Sequence, residues 1–332
     1  MKYLFTLFFS VLSVTGFSQV QPITIKGFAQ GTTYSITYYD AQHRNFQTEI
    51  KQLLLDFDYS VSTYQPYSII SRVNRNEAVA VDDYFRTCFY KAKEVWKNTQ
   101  GTFDPTVLPL VNAWGFGPGK KINIVKSKID SILSFVGFDL IDLKGTTICK
   151  KDPRVSLDFN AFAQGYSVDV VSNFLKTQRI ESFVVEIGGE VYANGNKPDG
   201  SNWQVGIEQP YDNQESENPT RIWAKLENLA IATSGNNRQY YIEKGIKYSH
   251  HINPKSGYPA KNTLLSVSVF AADCISADAY ATGLLVMGLP KAQQFLVKHP
   301  ELQAYLIYSD EFGNFKEYQT PGLQHIVVPI SN

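Results

Sequence analysis

The chain has 332 residues, enough for one large domain or two modest ones around a sizeable core. Lys plus Arg and Asp plus Glu balance at 31 each, with no block of like charge. That excludes the footprint of a nucleic-acid binder and a polybasic membrane patch, and leaves a small molecule or a protein as the partner. Cys88, Cys149 and Cys274 are an odd set without metal-like spacing, so neither a structural disulfide nor a zinc site is expected.

Residues 1–18 carry one positive side chain, Lys2, then an apolar run over 3–14 and small residues Gly16 and Ser18 just ahead of a possible cut before Gln19. This is the pattern of a cleavable secretory signal and predicts an exported protein made of residues 19–332. The run is too short for a membrane span, and no Cys near the cut offers a lipid acceptor. Residues 31–39 alternate as a strand, and 46–57 carry Ile50, Leu53, Leu54 and Phe57 at helical spacing. A second helix is predicted over 82–98, with Tyr84, Cys88, Ala92, Val95 and Trp96 on its apolar side. Residues 101–109 and 114–119 are rich in Gly and Pro and predict loops. Residues 155–159 are read as a short strand delivering Asp158 to its end, and 162–175 as the helix that follows.

Residues 183–192, 203–208, 229–233, 239–248 and 264–270 look extended, with turns at Gly188-Gly189, Asn194-Gly195, 198–200 and 234–237. Residues 209–220 are polar and aperiodic, as a surface loop is. A helix over 273–287, another after Pro290, and strands near 302–308 and 312–318 close the chain. No repeat or linker separates independent units. The expected class is α+β in one domain, with a mixed or antiparallel sheet and packed helices.

Asp278 and Thr282 stand at i and i+4 near the start of the 273–287 helix, so they share one face. A carboxylate and a hydroxyl there, with Ala279, Ala281 and Gly283 keeping the surroundings small, suit a Mg²⁺ that keeps other positions for phosphate oxygens and water. The plain alternative is a buried helix whose Asp and Thr bond to backbone. Asp104 before Pro105 can shape a turn, and Asp158 can cap a helix beginning near Asn160. His250 and His251 are adjacent and on a strand would face opposite sides, so only one would reach a site. An imidazole titrating near neutral pH makes His250 a chemically suitable general base. No P-loop occurs, no G-x-G-x-x-G follows a strand and opens a helix, and no G-x-S-x-G elbow is present.

Taken together, these stretches resemble the FAD:protein FMN transferases of the ApbE family. The resemblance rests on Gly31-Thr-Thr-Tyr34, Ser62-Thr-Tyr64, Ser68-Ile-Ile-Ser-Arg-Val-Asn74, Gly101-Thr-Phe-Asp-Pro-Thr106 and Trp114-Gly-Phe-Gly117 in the first half. It continues through Asp158-Phe-Asn-Ala-Phe-Ala-Gln-Gly165 up to Asp169, Val185-Glu-Ile-Gly-Gly-Glu190, Ala232-Thr-Ser-Gly235, Arg238, Tyr248-Ser-His250 and Asp278-Ala-Tyr-Ala-Thr282. It implies an α+β fold with a T-fold-like core that binds FAD and Mg²⁺ without a Rossmann motif. The implied reaction moves FMN from FAD onto a Thr or Ser hydroxyl of an acceptor, a membrane or exported redox protein, and releases AMP.

By position, the resemblance makes Asp278 and Thr282 side-chain ligands of Mg²⁺, with the backbone oxygen of Ala161 and the neighbourhood of Ala281 completing the site. Gln30, Tyr64, Thr102, Phe103, Asp104, Asp158, Gln164 and the strand from His250 to Ile252 fall where the family contacts FAD, and His250 matches the histidine that deprotonates the acceptor. The chain departs from the common pattern at Gln164, where many members carry Lys, at Asn236 and Asn237, and at Asn253. The alternatives are hydrolysis of FAD to free FMN and AMP, and non-catalytic FAD binding.

Overall fold

The computed structural model describes residues 20–208, 220–235, 240–243 and 246–329 of the chain. Strands β1 (Pro22–Ala29) and β2 (Thr32–Tyr39) form a hairpin whose turn holds Gln30 at φ 54° and Gly31 at φ 75°. Helices α1 (Gln47–Val61), α2 (Ile69–Asn74), α3 (Asp83–Asn98), α4 (Leu108–Trp114) and α5 (Lys126–Leu133) follow. A small hairpin of β3 (Ile141–Lys144) and β4 (Thr147–Lys150) leads to α6 (Ala163–Thr177). Next come β5 (Ser182–Ile187), β6 (Glu190–Asn194), β7 (Trp203–Glu208), β8 (Thr220–Leu226) and β9 (Leu229–Gly235). The hairpin β10 (Tyr240–Glu243) and β11 (Ile246–Ser249) precedes β12 (Leu264–Ala271) and α7 (Cys274–Met287). Helix α8 (Leu289–Lys298) and strands β13 (Gln303–Ser309), β14 (Phe315–Gln319) and β15 (Val327–Pro329) end the described chain.

Eight strands form one sheet in the order β1-β2-β5-β6-β9-β12-β13-β14, and every pairing in it is antiparallel. The helices cover one face, and a three-stranded sheet, β15-β8-β7, packs on the other. Side-chain alternation divides the core between them. Val191 faces the small sheet and Tyr192 the helices, and the same alternation separates Ile231 from Ala230 and Ala232, and Phe270 from Val269. A strand covered on both faces needs apolar residues at consecutive positions, which is why β12 is buried along nearly its whole length. This is the α+β class expected, with the sheet resolved as antiparallel.

Four local readings change. Residues 155–159 make no strand: the Asn74 side chain accepts from Leu157 N at 2.7 Å and donates to Leu157 O at 2.8 Å, and Asp158 N donates to Pro105 O at 2.7 Å. A side chain and a loop thus satisfy the extended backbone that a ladder would otherwise pair. Asp158 does not cap a helix, because α6 starts at Ala163 with Phe162 at its N-cap. Helix α4 begins inside the segment read as loop. Its Pro109 lies in the first turn, where a missing N–H costs little, and Gly115 at φ 83° ends it. The extended 239–248 segment is the β10–β11 hairpin. The sequence reading also passed over β1, α2, α5, β3, β4, β8 and β15, most of them short. Residues 1–18 and most of the polar 209–220 segment lie outside the described residues.

Cys88, Cys149 and Cys274 are unpaired thiols. Among the described residues no helix is long and apolar enough to cross a membrane.

Candidate active site

Helix α7 is buried on nearly every side, so its one carboxylate, Asp278, and the half-buried hydroxyl of Thr282 stand out against Ile275, Ala277, Leu284 and Leu285. Each of the Ile and Leu side chains contributes roughly 1.5–3 kcal/mol by leaving water, enough to hold polar groups where solvent alone would not put them. Its N-terminus is fixed twice. Asp273 accepts from Ser276 N at 2.9 Å, and Asp169 of α6 accepts from Cys274 N and Ile275 N, each at 2.8 Å. In return Asp278 Oδ2 accepts from Gly165 N of α6 at 2.9 Å. The helices approach so closely that a Cβ on Gly165 would lie 2.4 Å from Cys274 O and 2.7 Å from Asp278 Cβ. Glycine is required there by the approach itself.

One turn further on, Thr282 Oγ1 donates to Ala161 O at 3.2 Å and lies 3.1 Å from Ser234 Oγ. The Asp278 carboxylate, the Thr282 hydroxyl and the Ala161 carbonyl therefore gather at one corner between α7 and the entry to α6. One carboxylate with two neutral oxygens fits a hard divalent cation that keeps water or phosphate in its remaining positions. Burial raises the carboxyls of Asp278 and Asp169 above the usual carboxylate range, because a desolvated site penalises the charged form.

This corner opens on a cavity of about 750 Å³. Asp58, Asp104, Asp158, Glu190 and Asp278 line it, and among the described residues no Lys or Arg does. Burial pushes both Asp58 and Asp158 up to about 6, against weaker lowering by Gln30 for the former and by the Asn160 N–H for the latter. Tyr64, exposed at the rim, has its phenol raised by burial of part of the ring and by the charge of Asp158. Asp104 is also raised by burial, but its oxygens are occupied: Oδ1 accepts from Thr106 N at 2.8 Å and Thr106 Oγ1 at 2.6 Å, and Oδ2 from Phe138 N at 3.1 Å. That carboxylate shapes the turn at Pro105, the plain alternative considered for it.

His250 and His251 both line the cavity. Strand β11 ends at Ser249, so strand alternation no longer applies, and the two rings lie against each other with centroids 3.9 Å apart. The expectation that only one could reach the site is therefore corrected. His250 also meets the Phe116 ring at 6.4 Å. Ile252 is buried with Leu110, Trp114 and Ile129 and bridges to Pro259, which fixes the backbone on which the histidines sit.

The structure brings Gln30, Tyr64, Thr102, Phe103, Asp104, Asp158, Ala161, Gln164, His250, Ile252, Asp278 and Thr282 to one cavity. Gln164 lies in the first turn of α6 beside the Gly188 turn, where a Cβ would come within 3.0 Å of its amide. Ala281 is buried and does not line the cavity. Asn236, Asn237 and Arg238 fall outside the described residues. Sequence reasoning missed Asp58, which sits beside buried Phe57 in α1 and carries no motif signal of its own.

The profile of the ApbE family matches residues 30–306. The FAD:protein FMN transferase of Vibrio cholerae is 35% identical over 307 residues, covering 90% of this chain and 90% of the relative. That of Haemophilus influenzae is 34% identical over 310 residues, covering 89% of each. The solved flavin transferase ApbE from Vibrio cholerae superposes with a TM-score of 0.83 at 33% identity, over 92% of this chain and 99% of that one. The apo flavinyl transferase ApbE of Pseudomonas stutzeri gives 0.82 at 29% identity, over 93% and 97%. The chain belongs to the ApbE family, as its ordered motifs implied.

Proposed function

We propose that this chain is an exported, Mg²⁺-dependent enzyme that moves FMN from FAD onto a Thr or Ser hydroxyl of an acceptor protein and releases AMP. The observation that carries the reading is the convergence of Asp278, Thr282 Oγ1 and Ala161 O with an imidazole on one cavity. Asp278, Thr282 and the Ala161 carbonyl would hold the Mg²⁺, which when bound offsets charge on the pyrophosphate oxygens. The acceptor oxygen forms a bond to the phosphorus of the FMN half while the bond from that phosphorus to the bridging oxygen breaks, and AMP leaves with the bridging oxygen. His250 takes the hydroxyl proton, which a weak alcohol nucleophile needs. The position of the acceptor on the far side of the membrane from synthesis rests on the signal-like pattern of residues 1–18.

The test is AMP release from FAD by the mature protein, with and without Mg²⁺ and an acceptor domain. Release that needs both supports transfer. Equal release without acceptor means hydrolysis, and none under any condition means FAD binding alone.

A further inference from the structure

The transfer reading assigns His250 a task and leaves its neighbour without one. His251 is 7% exposed, yet it lines the cavity, and its Nδ1 is buried with no hydrogen-bond partner among the described residues. The backbone around it is held on several sides. Ala260 N donates to His251 O at 2.8 Å, Ile252 bridges Pro259, and Trp114 Nε1 donates to Gly257 O at 2.8 Å. These contacts fix the backbone from which the ring projects.

A buried imidazole with one nitrogen sealed has a preferred tautomer. Leaving a bare lone pair unpaired is better tolerated than burying an N–H without an acceptor, so the proton sits on Nε2. Burial, and then the charge of His250, hold the ring well below the ordinary histidine value, so it is neutral at physiological pH. His251 thus presents a neutral N–H donor to a cavity that holds five carboxylates and, among the described residues, no Lys or Arg. A diphosphate entering that cavity brings more negative charge and needs donors that do not depend on a fixed cation. Gln164, an uncharged residue in the first turn of α6, supplies no cation there either.

We propose that His251 is a binding residue that donates a hydrogen bond through Nε2 to a phosphate oxygen of the bound flavin nucleotide. The assignment rests on the flavin reading of the same cavity. It divides the labour of the pair: His250 accepts a proton, and His251, neutral throughout, keeps its own.

The test is flavin-fluorescence titration of the wild type, His251→Phe and His251→Gln with FAD, FMN and riboflavin. Phe keeps a ring against His250 and removes the donor, while Gln restores an N–H. The Phe variant should weaken FAD and FMN by about tenfold or more, as loss of a hydrogen bond to a charged group does, with riboflavin within about twofold. Gln should recover most of the difference. Equal loss for all three flavins would make His251 a packing residue or a contact of the flavin ring, and no loss for any would remove the contact; either overturns the proposal. A wild type that binds none of them removes the flavin reading and this assignment with it. Thermal melts of both variants separate lost binding from lost folding.

Discussion

Two concave regions of this molecule treat their carboxylates in opposite ways. In the cleft of about 610 Å³ beside β2 and the end of α6, Asp40 meets Arg44 Nε at 2.8 Å and accepts from Gln42 N and Arg44 N. The guanidinium, ahead of those backbone bonds, holds Asp40 at about 2. In the larger cavity, Asp58 and Asp158 have no such partner among the described residues, and burial lifts them to about 6. The first arrangement is complete as folded. The second gathers carboxylates with no Lys or Arg among the described residues that line it, an arrangement that suits the proposed metal with its nucleotide.

Substitutions can break that contrast. The largest effect is expected from Asp278→Ala: AMP release at saturating Mg²⁺ should fall at least about a hundredfold, as loss of metal-borne charge stabilisation does, while the melting curve stays cooperative. Unchanged turnover would sink the metal assignment. His250→Ala should slow transfer by roughly 10²–10⁴, the usual worth of a general base, with FAD affinity little changed. Equal losses in rate and affinity would make it a binding residue instead.

The pH dependence of stability sharpens the comparison, and the signs are opposite. Asp158 binds its proton more tightly folded than unfolded, so the metal-free protein should lose stability as pH rises from about 4 to about 6, by roughly 2–3 kcal/mol for a shift of this size. Asp158→Asn should remove that part of the slope in urea unfolding measured across this range. Asp40 binds its proton less tightly folded, so its contribution is present above about 4 and is lost as pH falls towards 2. Asp40→Ala should cost about 1–2 kcal/mol at neutral pH, typical of removing a buried, charge-assisted acceptor, and leave turnover unchanged.

The Asp278 and Thr282 corner is legible in the sequence because its information is local. Asp278 and Thr282 share a helical face by spacing alone, and Gly165 and Asp169 sit in the same motif that docks α6 on α7. Asp158 was placed at the right junction for a wrong reason, since Asn74, distant in sequence, replaces the ladder that a strand would have used. The pair His250 and His251 is read as facing opposite sides because alternation is carried past the end of β11. Asp58 has no local signal: a single Asp on a helix looks like any solvated position until the β1–β2 turn at Gln30 and Gly31 and the start of α6 close around it. Pairwise spacing within an element is visible in sequence, whereas enclosure by three elements is not.

The most direct measurement is the intact mass of an acceptor domain after incubation with the mature protein, FAD and Mg²⁺. Transfer predicts a mass gain of one FMN on a Thr or Ser of the acceptor, with one AMP released per acceptor modified and neither product from the Asp278→Ala variant. An acceptor of unchanged mass beside free FMN and AMP would contradict it.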